Sequence, residues 1–133
     1  ISDLSEEFLV VSEVGSKDEN KDLRTDLWIE LMQKELESGS WKVIAEAREG
    51  GNVGVFGKEG KVKSDLIDQI IKNVPSEKIL WEAPIKKQQV WFIKLLGANV
   101  NLGNISHNEI IPLETLRIGL RGDTFFDYLS KKI

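Results

Sequence analysis

The stretch Val43–Gly51, VIAEAREGG, decides how the rest of the chain is read. It begins as a buried strand, then places Glu46, Arg48 and Glu49 within four positions. Alternation along an extended chain puts Glu46 and Arg48 on one face and Ala45 and Ala47 on the other. The pattern recurs on either side. FLVVSEVGSK (Phe8–Lys17) runs four apolar residues into Ser12, Glu13 and Lys17, and ILWEAP (Ile79–Pro84) runs Ile79, Leu80 and Trp81 into Glu82. In parallel α/β folds the chemistry collects at the carboxyl ends of the strands, so a buried strand that runs into charge points to a site there.

Working outward, strands and helices alternate. The first strand is expected over Phe8–Val14, an apolar run that predicts burial on both faces. A helix follows from about Asp22 to Glu37, with Leu23, Leu27 and Leu31 on one ridge and Trp28, Met32 and Leu36 on the next, and Gly39 ends it. After the strand Val43–Ala47, two short apolar runs flanking Gly57–Gly60 predict a small hairpin. Leu66, Ile67, Ile70, Ile71 and Val74 give a helix over Ser64–Asn73, closed by Pro75. A third strand spans Lys78–Glu82 and a helix spans Lys86–Leu96, stopped by Gly97. The fourth strand is read over Asn99–Leu102. Pro112 then opens a helix to about Leu120, and a last short helix starts near Asp123 or Thr124 as its cap.

Four strand–helix units mean parallel strands with right-handed crossovers. The polar strand-end residues Glu13, Glu46, Glu82 and Asn101 lie 33, 36 and 19 positions apart. Two architectures are open: a doubly wound sheet, or half of an eight-stranded barrel. SEVGSKDENK lacks the glycine-rich phosphate loop expected of the first. The chain opens at Ile1 without Met, in keeping with a single domain that is the carboxyl-terminal half of a longer barrel.

At 133 residues, 41% hydrophobic and 30% charged, the composition is that of a soluble globular domain. The net charge of −4 is spread over mixed signs, which argues against nucleic acid as a partner. No apolar run reaches the roughly 20 residues of a membrane span, and no signal peptide is recognisable. The absence of cysteine excludes thiolate chemistry and disulfides and suits the cytoplasm. Self-association into a homo-oligomer is left open.

Each candidate has a plainer alternative. Glu13 and Lys17 flank a tight turn where an ammonium can be tuned as a proton donor, or they form a surface ion pair. Glu46, Arg48 and Glu82 suit a divalent cation and an anion at a barrel mouth, or a structural ion pair. Gly50, Gly51 and Gly54 let backbone amides approach a phosphate, or simply make turns. Lys86, at a helix start, suits an anion or a solvated helix end. Arg117 and Arg121, four apart, clamp a dianion or cap a helix. His107 has no metal-ligand spacing and reads as a surface residue. Trp28, Trp41, Trp81 and Trp91 read as core.

LVVSEVGSKD, VIAEAREGG, ILWEAPIKKQQVWFI, GANVNLGNI and LETLRIGLRGDTFF together, in this order, resemble the phosphosulfolactate synthase family, over the carboxyl-terminal half of that family's barrel. The resemblance implies a (β/α)8 TIM-barrel fold and the addition of sulfite to phosphoenolpyruvate with Mg2+ to give phosphosulfolactate, a step toward coenzyme M in methanogens. The residues matching the family's blocks include Glu13, Lys17, Glu46, Arg48, Glu82, Lys86, Asn101, Asn104, Arg117, Arg121 and Asp123. From the chemistry, Glu46 and Glu82 are expected as metal ligands, Lys17 as general acid oriented by Glu13, and Arg48 as a charge partner for sulfite or carboxylate. Lys86, Asn101, Asn104, Arg117 and Arg121 are expected to bind substrate and phosphate. Two other readings compete. One is a non-catalytic relative acting through protein contacts, as in the plant heat-stress relatives. The other is a different phosphate-handling barrel enzyme.

Overall fold

The apolar ridges and alternating runs fold into a single layer of strands with helices packed against it. The computed structural model describes residues 1–15, 23–47, 54–57, 59 and 61–130. Strands β1 (Val11–Val14), β2 (Lys42–Ala45), β3 (Ile79–Glu82) and β4 (Leu102–Gly103) form one sheet in that order, all parallel. Helices α1 (Ser2–Ser5), α2 (Thr25–Glu37), α3 (Ser64–Asn73), α4 (Lys86–Leu96), α5 (Ile110–Arg117) and α6 (Phe125–Ser130) precede, connect and follow the strands. None of the described helices is long and apolar enough to cross a membrane.

The registers Val14↔Ala45 and Ala45↔Trp81 align one row of residues, and alternation sets its face. Val14, Val43, Ala45, Ala47, Ile79, Trp81 and Ala83 point to the helices and pack with Trp28, Met32, Leu66, Ile67, Ile70 and Phe92. Trp81 stacks on Phe92 with centroids 5.0 Å apart. A fully buried side chain of this size contributes roughly 1.5–3 kcal/mol, so this side of the sheet carries most of the stability. Glu13, Ile44 and Leu80 form a row on the other face, where no described helix covers them.

The helices over Ser64–Asn73 and Lys86–Leu96 fall where the sequence puts them. Gly39 follows α2 at φ +107, and the Ser40 and Gly39 amides donate to Glu35 and Leu36 carbonyls, closing the helix end. Among the described residues, the hairpin shows one antiparallel bridge, Phe56↔Val62.

Three element boundaries are corrected. The first strand is Val11–Val14 only, and Phe8 and Leu9 are 63% and 77% exposed, because β1 is an edge strand with one face uncovered. The fourth strand is Leu102–Gly103, not Asn99–Leu102, because the Val100 amide turns back to the Gly97 carbonyl. Helix α5 ends at Arg117, not Leu120: Gly119 takes φ +73, and the Leu120 amide donates to the Thr115 carbonyl. Thr124 stands immediately before α6, where its carbonyl accepts from the Tyr128 amide at 3.0 Å and its hydroxyl donates to the Leu116 carbonyl at 2.6 Å. Of the tryptophans, Trp28 and Trp81 are core as read, whereas Trp41 is exposed beneath the Lys42 ammonium. His107 is exposed, as the sequence suggests.

Candidate active site

One residue beyond the aligned row, the chain presents Gly15, Glu46, Glu82 and Gly103 at the carboxyl end of the sheet, on the uncovered face. Glu46 is only 8% exposed. A Cβ at position 15 would fall 2.6 Å from Glu46 Cβ and 2.8 Å from its Oε2, so glycine there lets the carboxylate lie flat across β1. Gly54, at φ +77, packs against the Glu46 carbonyl, which also accepts from the Val55 amide at 3.4 Å. Glu82 Oε2 accepts from the Ala47 amide at 2.6 Å. The two carboxylates expected as metal ligands therefore stand at adjacent strand ends. Glu13 sits on the same face, nearer the middle of β1, and is exposed. Lys17 and Arg48 lie outside the described residues, as do Gly50 and Gly51.

The expected phosphate ligands separate into groups. Lys86 and Arg121 line one cavity with Gln89, Glu109, Pro112 and Leu116. Lys86 Nζ lies 2.9 Å from Asp123, and that hydrogen bond holds the Asp123 carboxyl below the usual aspartate range. Arg121 Nε donates to Thr115 Oγ1 at 2.9 Å. Arg117 is elsewhere: its Nε donates to the Ala98 carbonyl at 2.7 Å and its guanidinium pairs with Glu114, tying α5 to the turn before β4. Asn101 is at the opposite, amino end of the sheet, where its Nδ2 donates to the Ile79 carbonyl at 3.1 Å. The sequence places it at a strand's carboxyl end because it reads β4 too early. Asn104 donates from Nδ2 to the Ala47 carbonyl at 3.0 Å.

Gln89 was missed as a site-wall residue. It is buried, donates from Nε2 to the Ala83 carbonyl at 3.0 Å and fixes the turn that follows Glu82. Its signal was available: a polar residue inside a helix face that otherwise carries Phe92 and Ile93.

A family model described as (2R)-phospho-3-sulfolactate synthase (ComA) matches residues 1–123, which include every candidate residue above. The chain belongs to this synthase family. It is 51% identical to the phosphosulfolactate synthase of Methanocaldococcus jannaschii over 121 residues, 89% of this chain and 48% of that protein. It is 46% identical to the phosphosulfolactate synthase of Bacillus subtilis over 129 residues, 95% of this chain and 51% of the relative. Protein HEAT-STRESS-ASSOCIATED 32 of Arabidopsis thaliana is 33% identical over 108 residues, 81% of this chain and 35% of its own length. The chain thus spans about half the length of the two phosphosulfolactate synthases. In synthase-family terms, the match takes in all four strands and α5 but stops short of α6.

Proposed function

We propose that this chain supplies the carboxyl-terminal half of an eight-stranded α/β barrel that adds sulfite to phosphoenolpyruvate, giving phosphosulfolactate for coenzyme M or sulfolactate synthesis. The observation that carries the reading is the placement of Glu46 and Glu82 on adjacent strand ends of a family member. The sequential strand order, with the core helices on one face, supports a barrel half: further strands would close over the Glu13, Ile44 and Leu80 face and pair both edges.

Two carboxylates suit magnesium, which is held by one or two carboxylates together with water and substrate oxygens. Among the described residues no group of three acidic, His or Cys side chains forms a fuller cage. Glu46 and Glu82 would hold the ion, and bound magnesium would supply a Lewis acid for the substrate carboxylate. Lys86 and Arg121, sharing one cavity, hold the phosphate. Arg48 offsets charge on the incoming sulfite. Sulfur forms its bond to C3, the C2–C3 π electrons shift toward C2 and the carboxylate, and the Lys17 ammonium, oriented by Glu13, delivers the proton to C2.

The test is product formation dependent on phosphoenolpyruvate and sulfite, with and without magnesium, using this chain alone and a chain of the relatives' full length that contains it. The expected result is magnesium-dependent product from the longer chain, lowered at least about 100-fold by Lys17→Ala. A folded full-length chain that forms no product would move the reading to a non-catalytic member of the family.

A further inference from the structure

The backbone of Ala47 is gripped from two other strands at once. Its amide donates to Glu82 Oε2 at the end of β3 (2.6 Å), and its carbonyl accepts from Asn104 Nδ2 just beyond β4 (3.0 Å). Glu46, the preceding residue, is hemmed in by Gly15 at its side chain and by Gly54 and Val55 at its carbonyl. The segment that carries one carboxylate is therefore fixed by the other carboxylate and by Asn104.

Asn104 makes this contact from a left-handed backbone, φ +55. That conformation is unfavourable for most non-glycine residues, and among them asparagine tolerates it best. Strained backbone of this kind persists where surrounding contacts over-determine it, often at functional sites. Gly103, immediately before it, has no room for a Cβ because the Leu80 side chain fills that space. Asn104 also lies apart from the paired cations: it lines a groove with Pro84, Ile105 and Ser106, whereas Lys86 and Arg121 line another.

We propose that Asn104 is a positioning residue for the Glu46–Glu82 pair: it holds Ala47 so that both carboxylates are presented together, and it does not bind the substrate phosphate. This rests on the reading of that pair as the magnesium ligands. Groups that orient ligands through one intermediary characteristically alter metal affinity or turnover by about 10- to 100-fold.

The experiment compares Asn104→Asp and Asn104→Gly with wild type in a chain of the relatives' full length. Aspartate keeps the size and tolerates the backbone but has no N–H to donate. Glycine accepts the backbone freely without a side chain, and keeps the test open if the aspartate variant does not fold. Three quantities are read: kcat and KM for phosphoenolpyruvate, magnesium affinity by calorimetry, and hydrogen exchange at the Ala47 amide. Both variants are expected to lower kcat and magnesium affinity by about 10- to 100-fold, to leave KM within about 2-fold, and to speed Ala47 exchange. A raised KM at unchanged kcat would make Asn104 a substrate ligand and overturn the proposal. So would a glycine variant equal to wild type, which would show that only the backbone conformation matters. If wild type binds magnesium but forms no product, the proposed reaction fails while magnesium affinity and Ala47 exchange still decide the role of Asn104. If wild type binds no magnesium, this inference falls with the metal assignment.

Discussion

Lys86 reaches Asp123 across 2.9 Å, and its hydrogen bond is the main reason the Asp123 carboxyl titrates below its ordinary range. A carboxyl whose folded value is depressed binds fewer protons folded than unfolded. Its contribution to stability is present above the unfolded value of about 3.9 and is lost as pH falls through the lower folded value. Both partners are substantially exposed, so the effect is small and salt-screened. Asp123→Asn is accordingly expected to lower the melting temperature slightly near pH 7 in low salt, with the difference closing once the pH drops well below about 3.9. Thermal melts across pH check this, and a difference that grows on acidification would contradict it. The same ammonium is a candidate phosphate ligand, so a bound phosphate would compete with Asp123 for it. At this scale the sequence exposed Glu46 and Glu82 as charges at the ends of buried strands. It misplaced Asn101 along β4, and the bonds of Asn101 and Arg117 go to the Ile79 and Ala98 carbonyls, backbone partners that carry no sequence signal.

The ends of elements are set by individual glycines. Gly119 stops α5 in the left-handed region, and a Cβ there would lie 2.6 Å from Tyr128 Cβ and 2.7 Å from its Cγ. The tyrosine belongs to α6, so this glycine both terminates one helix and lets the next pack on it. Thr124 reinforces the junction through its bond to the Leu116 carbonyl. Gly119→Ala is expected to cost about 2 kcal/mol or more, from the left-handed backbone and the overpacking together, read as a shift of the urea midpoint at unchanged slope. An unchanged midpoint would show that α6 moves aside freely. The helices over Ser64–Asn73 and Lys86–Leu96 were legible because their apolar spacing and terminal Pro75 and Gly97 agree. The edges of β1, β4 and α5 were not, because hydrophobic runs continue past the point where the backbone stops pairing.

Among the described residues, helices cover the sheet on one side only. Ile44 and Leu80 are half-buried on the other side, and Phe8, Leu9 and Val11 lie exposed at the β1 edge. An apolar surface of this kind on a parallel sheet is the kind that a further layer or a closed barrel ordinarily buries. This chain alone is therefore expected to bind an environment-sensitive dye such as ANS several-fold more strongly than a full-length chain containing it, measured by fluorescence at equal concentration. Equal signals would mean that the face is covered by something other than the residues that the relatives add. The sequence by itself determined the alternation of strands and helices, the parallel sheet, the face on which Glu46 and Glu82 stand, and the family resemblance. All of these follow from local periodicity and short motifs. Only the tertiary structure decided that Asn104 and Glu82 grip Ala47, that Lys86 meets Asp123, and that Asn101 stands at the far end of the sheet. Those contacts join residues tens of positions apart, and their partners are fixed by strand register and helix packing, which no local pattern encodes.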